Sequence, residues 1–471
     1  MLIANCLLLI TLMNTAQLKD KNALIMGLGN FGGGLDSALF AAKHCKKVLV
    51  TDMSSRDKLE AGISSLEGRP NIELRLGEHL ESDFASADVV ILNPAVKPDN
   101  KYVQLARQAG AVITSQMEIF FANCPAPIIG ITGANGKSTT TKLTWHLLDC
   151  GIKSGVLKYR KAWLGGNIGN MPLLTELDNI TKDDIVVLEI SSFQAEQLGN
   201  SAAAPDVSVL INITPNHLDR HGTFEAYCAA KENLFINQKA GKLNRPVSIF
   251  NAEDEVTAGM YEKYSRDKSR KCVKFNADDV PASVKANFPL PGRINQSNLA
   301  AAMAAAANFG VGEKDAAQAV KTFKGLPHRL ELVAAGGGVR WYNDSKATTP
   351  PSTMVALQSF SEPIILIAGG YDKKLPFDEM GAVAAKKAKA AILIGVTAEK
   401  IAHAIEQGKG DCVIYMEKTF ADAINRADAV SKPGDVVVLS TACASYDMFV
   451  NYEQRGEIFG QLAREICSKK A

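Results

Sequence analysis

The sequence holds nine cysteines but no C-x-x-C pair. A scattered, odd-numbered set without that spacing argues against a disulfide framework and a zinc site, and fits a reducing compartment. Charge of one sign is also missing. The 52 Lys and Arg against 50 Asp and Glu leave a formal charge of +2, so nothing global argues for nucleic acid or a bulk anionic surface. No apolar run reaches membrane length. Leu2 to Met13 is mostly apolar, but it is too short to span as a helix. No Lys or Arg precedes Lys19, and no small-residue cleavage site is clear. We expect it to be an extra segment before the first strand, with Met13 as the natural start. Short repeats and low-complexity tracts are absent too. What remains is an apolar fraction of 46% and a charged fraction of 22%, the balance of a globular protein. A chain of 471 residues calls for about two to four domains.

The stretch that organises the chain is Gly133-Ala134-Asn135-Gly136-Lys137-Ser138-Thr139. Before it, Pro127 to Ile131 is a short apolar, β-branched run, the signature of a buried strand. After it, Leu143 and Leu147 lie one helical turn apart. Strand, glycine loop, Lys, hydroxyl and helix make a phosphate cradle. Glycines let backbone N–H groups face phosphate oxygens, and the helix N-terminus adds partial positive charge. Lys137 is suited to the β- and γ-phosphates, and Ser138 or Thr139 to Mg²⁺. The common P-loop separates its glycines by four residues; here only two intervene. An ordinary turn at a helix start is the alternative.

From Lys21 onward, strand and helix alternate. Asn22 to Met26 reads as a strand, followed by a G-x-G-x-x-G turn, Gly27 to Gly32, and a helix through Leu39 and Ala42. Lys47 to Thr51 is the next strand and ends in Asp52, twenty positions after Gly32. That spacing fits a nucleotide-binding βαβ unit, and a sugar nucleotide as readily as NAD. A tight turn without ligand is the alternative. Val89 to Leu92 is a further strand. Cys124 to Pro127 reads as the entry to a second domain, with strands at Ile185 to Ile190, Val207 to Ile213 and Val247 to Asn251. These runs lack alternation, as in a parallel sheet covered on both faces. Lys324 to Pro327 marks another boundary. Strands then follow at Gly338 to Tyr342, Pro363 to Ala368, Ala391 to Gly395, Cys412 to Met416 and Asp435 to Ser440. The expected fold is α/β in three domains, each a mostly parallel sheet with helices: Rossmann-like over 1–115, P-loop-like over 116–326, and Rossmann-like over 327–471.

Several strand ends carry chemistry. Glu189 lies inside an apolar run, where a carboxylate is costly unless paired or metal-bound; Mg²⁺ is the expected partner, with a structural salt bridge as the alternative. Asn212 to His221 crowds two His, an Asp and an Arg at another strand end. It reads as a catalytic polar loop; a zinc cluster is the alternative, which no third well-spaced ligand or Cys supports. Lys231, in a helical stretch over Phe224 to Ile236, reads on spacing alone as part of a solvated face. His328-Arg329 and Asn343 to Thr348 offer cations able to stabilise a transferred phosphoryl group.

Taken together, the runs Gly133–Thr139, Gly165–Gly169, Leu188–Gln194, His217–His221, Leu326–Arg329, Asn343–Thr348 and Ala442–Ser445 resemble the Mur ligase family, over nearly all the chain after residue 20. Ala442–Ser445 running into Asn451–Gly456 points to its D-glutamate-adding branch. The short glycine spacing is the family's own variant. The resemblance implies a cytoplasmic, monomeric, ATP-dependent ligase of peptidoglycan precursor synthesis that uses UDP-N-acetylmuramoyl-L-alanine and D-glutamate, with no nucleic-acid or membrane partner. It implies an acyl-phosphate route and a third domain that binds the amino acid and closes over the site. Gly133, Ala134, Asn135, Gly136, Lys137, Ser138, Thr139, Asn298, Arg329 and Asp344 would then face ATP. Asn30, Phe31, Asp52 and Asn167 would hold the UDP substrate. Lys346, Thr348, Lys373, Ser445 and Tyr452 would hold D-glutamate; Tyr452 aligns with a Phe in some relatives, and Lys374 adjoins Lys373. Ser138, Glu189, His217 and Lys231 would serve Mg²⁺, with Lys231 carrying CO₂ as a carbamate. Lys137, Lys231 and His217 would be catalytic. A folylpolyglutamate synthase is opposed by the C-terminal runs and the UDP-type first domain. An NAD-dependent dehydrogenase leaves the Lys137 loop unexplained, and a silent nucleotide-binding module leaves Glu189, His217 and Lys231 together unexplained.

Overall fold

The computed structural model describes residues 13–30, 32–169 and 171–470. The expectations about Leu2 to Leu12 and Phe31 therefore lie outside the described residues. Three sheets follow one another along the chain. The first contains β1 (Asn22–Met26), β2 (Lys47–Asp52), β3 (Ile72–Leu76), β4 (Val89–Leu92) and β5 (Val112–Ser115). Its order is β3-β2-β1-β4-β5, and every pairing is parallel. The strand order reverses beside β1, so the glycine turn after β1 lies at the switch point where α/β sheets bind ligands.

The second sheet contains β6 (Ile128–Thr132), β7 (Ala162–Gly166), β8 (Ile185–Glu189), β9 (Val207–Leu210), β10 (Val247–Asn251) and β11 (Lys271–Phe275). Its order is β11-β10-β9-β6-β8-β7. The strands β9, β6 and β8 are neighbours, with Ile131 opposite Glu189 and Thr132 opposite Leu210. Their carboxyl ends therefore finish side by side. All five residues of each of β6, β8 and β10 are buried, which explains their unbroken apolar runs. β9 ends at Leu210, before the expected Ile213. Beyond it the chain peels away: the Ile213 N–H donates to Asp254 Oδ2 (3.0 Å) instead of to a strand.

The third sheet contains β12 (Glu331–Gly336), β13 (Val339–Asn343), β14 (Ile364–Gly369), β15 (Ala388–Ile394), β16 (Val413–Met416) and β17 (Val436–Leu439). Its order is β12-β13-β17-β14-β15-β16. β12 runs antiparallel to β13, and the other pairs are parallel. Two compact units emerge. One comprises the residues up to Pro281 with Ser297–Ala319, and the other Ala282–Gln296 with Val320 onward. The first unit holds the first two sheets, and a single apolar core runs from Ile25 and Val50 to Leu188 and Phe250. In the second unit, apolar clusters cover both faces of the third sheet.

Candidate active site

Three loops leave the carboxyl edge of the second sheet together. The loop after β6 turns into the helix Lys137–Lys153, whose N-cap is Gly136 at φ +84°. A Cβ there would lie 2.3 Å from Asn298 Oδ1, so only glycine keeps both the left-handed turn and this contact. Thr140 Oγ1 donates to the same Asn298 oxygen (3.2 Å). Lys137 Nζ donates to the Ala134 carbonyl (2.9 Å) and so folds back over its own loop.

Asn212, placed by sequence only at the head of the polar run Asn212 to His221, holds this loop in shape. Its Oδ1 accepts from the Ala134 and Asn135 N–H groups (3.1 and 2.8 Å), and its Nδ2 donates to the Asn135 carbonyl (2.8 Å). An amide two residues beyond the end of a buried strand was the available signal.

Glu189 is the last residue of β8 and is buried. Its Oε1 accepts from Asn167 Nδ2 (2.8 Å). Its Oε2 is buried without a hydrogen-bond partner. An orphaned carboxylate oxygen at this edge is costly alone and suits a divalent cation. Asn167 itself is fixed because its N–H donates to the Glu189 carbonyl (2.9 Å).

Lys231 corrects the solvated-face expectation. The helix Phe224–Ile236 forms as expected, but Lys231 is only 1% exposed. Its face turns inward because Leu234, Phe235 and Tyr227 share the core. Lys231 Nζ donates to the Gly133 carbonyl (2.9 Å) and Thr132 Oγ1 (3.3 Å). Burial, reinforced by the Lys137 charge, holds its amine well below the ordinary lysine value.

His217 begins the short helix Leu218–His221 with φ +53°, a strained conformation of the kind that collects at functional sites. Burial and then the Lys137 charge lower its pKa, which keeps the ring neutral at pH 7. Phe193 packs against both His217 and His221, and His221 Nε2 is 3.0 Å from Ser192 Oγ. Among the described residues, no three His, Cys, Asp or Glu side chains gather as a ready-made metal cluster. Glu189, by its orphaned oxygen, is the residue of the expected Mg²⁺ set that fits an oxygen-preferring ion most directly.

At the first sheet, Asp52 Oδ2 accepts from the Gly29 N–H (3.1 Å) and Oδ1 from the Ser54 N–H (2.8 Å). The acid thus shapes the glycine turn. Asn30 is exposed on that turn.

At the third sheet, loops leave the adjacent ends of β13, β17 and β14. Lys346 Nζ lies 5.2 Å from the centre of the Tyr452 ring. Lys373 Nζ donates to Thr348 Oγ1 and to the Thr348 carbonyl (both 3.2 Å). Ser445 is buried in the turn after β17. Arg455, also missed from sequence, braces this edge from within. It donates to Ser345 Oγ (2.9 Å), the Ser345 carbonyl (2.7 Å) and the Cys443 carbonyl (3.2 Å). Burial lowers its guanidinium to about 10.

Asp344 accepts from Ser440 Oγ (2.8 Å) and the Leu330 N–H (3.2 Å), yet burial pushes its carboxyl up to about 7. The folded chain therefore holds a proton that the unfolded chain releases above 3.8. The stabilisation is fully present below that value and is lost as the pH rises through about 7. Asp344→Asn has no such proton to lose and keeps an acceptor for Leu330. Relative to wild type, it should gain on the order of a few kcal/mol between pH 4 and pH 7. Urea unfolding across that range checks this; a constant difference between the two proteins would reject it.

A strand-borne phosphate loop beside a buried acid and a buried lysine defines an α/β nucleotide-dependent ligase core. Residues 131–306 match the Mur ligase middle domain, and residues 328–443 match the Mur ligase glutamate ligase domain. The chain is 38% identical to the UDP-N-acetylmuramoylalanine--D-glutamate ligase of Roseiflexus sp. (strain RS-1), covering 96% of this chain and 100% of that relative. It is 36% identical to the Clostridium kluyveri protein of the same name, over 95% and 98%. The fold is similar to that of UDP-N-acetylmuramate-alanine ligase from Thermotoga maritima (TM-score 0.56, 17% identity, 94% of this chain and 100% of that one). It is also similar to MurF ligase from Thermotoga maritima in complex with ADP (TM-score 0.53, 15% identity, 98% and 99%). The chain belongs to the Mur ligase family.

Proposed function

We propose that this chain joins D-glutamate to UDP-N-acetylmuramoyl-L-alanine in an ATP-dependent reaction of peptidoglycan precursor synthesis. The observation that carries the reading is the edge of the second sheet, where the Lys137 loop, the orphaned oxygen of Glu189 and the buried amine of Lys231 lie together. A free carboxylate is a poor acyl donor. Transfer of the ATP γ-phosphoryl to it gives an acyl phosphate and ADP. The amine of D-glutamate then attacks the acyl carbon, and the tetrahedral intermediate expels phosphate to leave an amide.

The chain's own contribution is positioning and charge stabilisation. Loop N–H groups from Gly133 to Thr139 and Lys137 hold the phosphates. Asn298, Arg329 and Asp344 would contact ATP. Asn30, Asp52 and Asn167 would contact the UDP substrate. Mg²⁺, when bound, neutralises phosphate charge; Glu189 and Ser138 would hold it, with His217 and Lys231 as further ligands. Lys231 would ligate only as a carbamate, and its depressed amine supports that form. The domains of this ligase span 1–115, 116–326 and 327–471, and it works as a cytoplasmic monomer. Among the described residues no helix is long and apolar enough to cross a membrane. Phosphate release should require ATP, UDP-N-acetylmuramoyl-L-alanine and D-glutamate together. Equal release with L-glutamate, L-lysine or a diaminopimelate would reject the assignment.

D-Glutamate brings two carboxylates, so its site needs cationic anchors. Lys346 supplies one and Lys373 another, with Thr348, Ser445 and Tyr452 beside them. A charged hydrogen bond is worth about 1.5–3 kcal/mol. Lys346→Ala should therefore raise the KM for D-glutamate roughly 10- to 150-fold while the KM for ATP stays nearly constant. Loss of ATP affinity alone would contradict this role.

A further inference from the structure

Asp36 lies in the first turn of the helix Gly33–His44, directly after the nucleotide turn, and is 4% exposed. Its carboxylate accepts four hydrogen bonds, two on each oxygen. Gln116 Nε2 (2.6 Å) and the Leu174 N–H (3.0 Å) donate to Oδ2; the Thr175 N–H (3.0 Å) and Thr175 Oγ1 (2.6 Å) donate to Oδ1. All four donors are neutral, and three belong to the segment that follows β7. A buried carboxylate satisfied this way is held at a fixed place, because moving either side strands a charge.

Each side leads to a part of the site. On one side, the Asp36 N–H donates to the Gly32 carbonyl (2.9 Å), the last glycine of the nucleotide turn. On the other, Leu173 packs where a Cβ on Gly165 would lie 2.5 Å from its Cγ, and the Gly166 N–H donates to the Met171 carbonyl (3.1 Å). Gly166 adjoins Asn167, which orients Glu189. Lys43 of the same helix also pairs with Asp178, but that pair is exposed and adds little.

We propose that Asp36 is a positioning residue. It sets the separation between the nucleotide turn of the first sheet and the Asn167–Glu189 edge of the second, and thereby the span over which a UDP-linked substrate is held at both ends. The proposal rests on the UDP-sugar reading above. A ligand that meets only the nucleotide turn should be indifferent to Asp36, whereas one that reaches both ends should not.

Calorimetry on the full chain separates the two. For Asp36→Ala, UDP alone should bind within about twofold of wild type, while UDP-N-acetylmuramoyl-L-alanine should bind at least about tenfold more weakly. Turnover should fall, and the KM for ATP should stay within about twofold. A purely structural role would weaken both ligands equally or neither, and either result overturns the proposal. Should Asp36→Ala fail to fold, Thr175→Val keeps the carboxylate and removes one donor. It should show the same asymmetry at roughly three- to tenfold. If wild type itself fails to ligate D-glutamate to the UDP substrate, the functional reading falls, and Asp36 is judged by amide hydrogen exchange alone. Residues 171–176 should exchange faster in the variant; unchanged protection overturns the positioning role.

Discussion

Lys137→Ala should lower the rate of ligation by about 1,000-fold or more while leaving the fold intact. Lys137 opens a helix of 17 residues, so its ammonium adds to the positive end of the helix dipole. Its Nζ rests on a carbonyl of its own loop, within reach of whatever the loop cradles. Phosphoryl transfer asks the protein mainly for positioning and for charge on the equatorial oxygens, and alanine removes the charge. The fold should survive because the hydrogen bonds between Asn212 and the loop and between Asn298 and Thr140 remain when the lysine side chain is removed. A second readout is independent of turnover. Burial and, after it, the Lys137 charge depress both His217 and Lys231, so the His217 ring should titrate at higher pH in Lys137→Ala, as followed by NMR. Near-wild-type turnover in a folded variant would eliminate the role, and an unmoved His217 would separate Lys137 from the histidine.

Lys231→Ala should be equally damaging, and wild-type activity should depend on dissolved CO₂. A carbamate forms when a neutral amine attacks CO₂ and loses a proton, turning a would-be cation into an anion with two oxygen donors. Burial and the Lys137 charge keep this amine neutral where an ordinary lysine is protonated. Between the depressed value and 10.5 the folded chain holds fewer protons than the unfolded chain, so acidification works against the folded, neutral form. Activity should accordingly fall at low pH and in CO₂-depleted buffer and return with bicarbonate. Lys231→Arg should not restore it, because the guanidinium stays charged. Labelling with ¹³C-bicarbonate should give a carbamate signal in wild type that is missing from Lys231→Ala. No such signal in active wild-type enzyme would remove the carbamate.

The sheets were legible from sequence where strands are buried on both faces. β6, β8 and β10 read as continuous apolar runs because helices cover both sides. The strands not read were β3, β5, β7, β11 and β12, and each is an edge strand of its sheet. The strands at Ile72–Leu76 and Lys271–Phe275 are part-exposed, so the first alternates and the second carries lysine, while Ala162–Gly166 is largely buried but ends in two glycines. Such runs look like loops until a neighbouring strand supplies their hydrogen bonds.

The phosphate loop, the acid at the end of β8 and the polar runs after later strands were determined by sequence, because each is a local arrangement of a few consecutive residues. Burial of Lys231 was not, since its helix shows no distinct polar face and only the packing of Tyr227, Leu234 and Phe235 turns the lysine inward. The bracing of Asn135 by Asn212, the grip of Arg455 on Ser345 and the four-donor hold on Asp36 also waited for the tertiary structure. These partners lie 77 or more residues away, and no local pattern records which distant backbone group a side chain will meet. Local chemistry needs only neighbours in sequence; a depressed amine, an orphaned carboxylate oxygen and a fixed span between two sheets arise only when the fold excludes water and sets the distances.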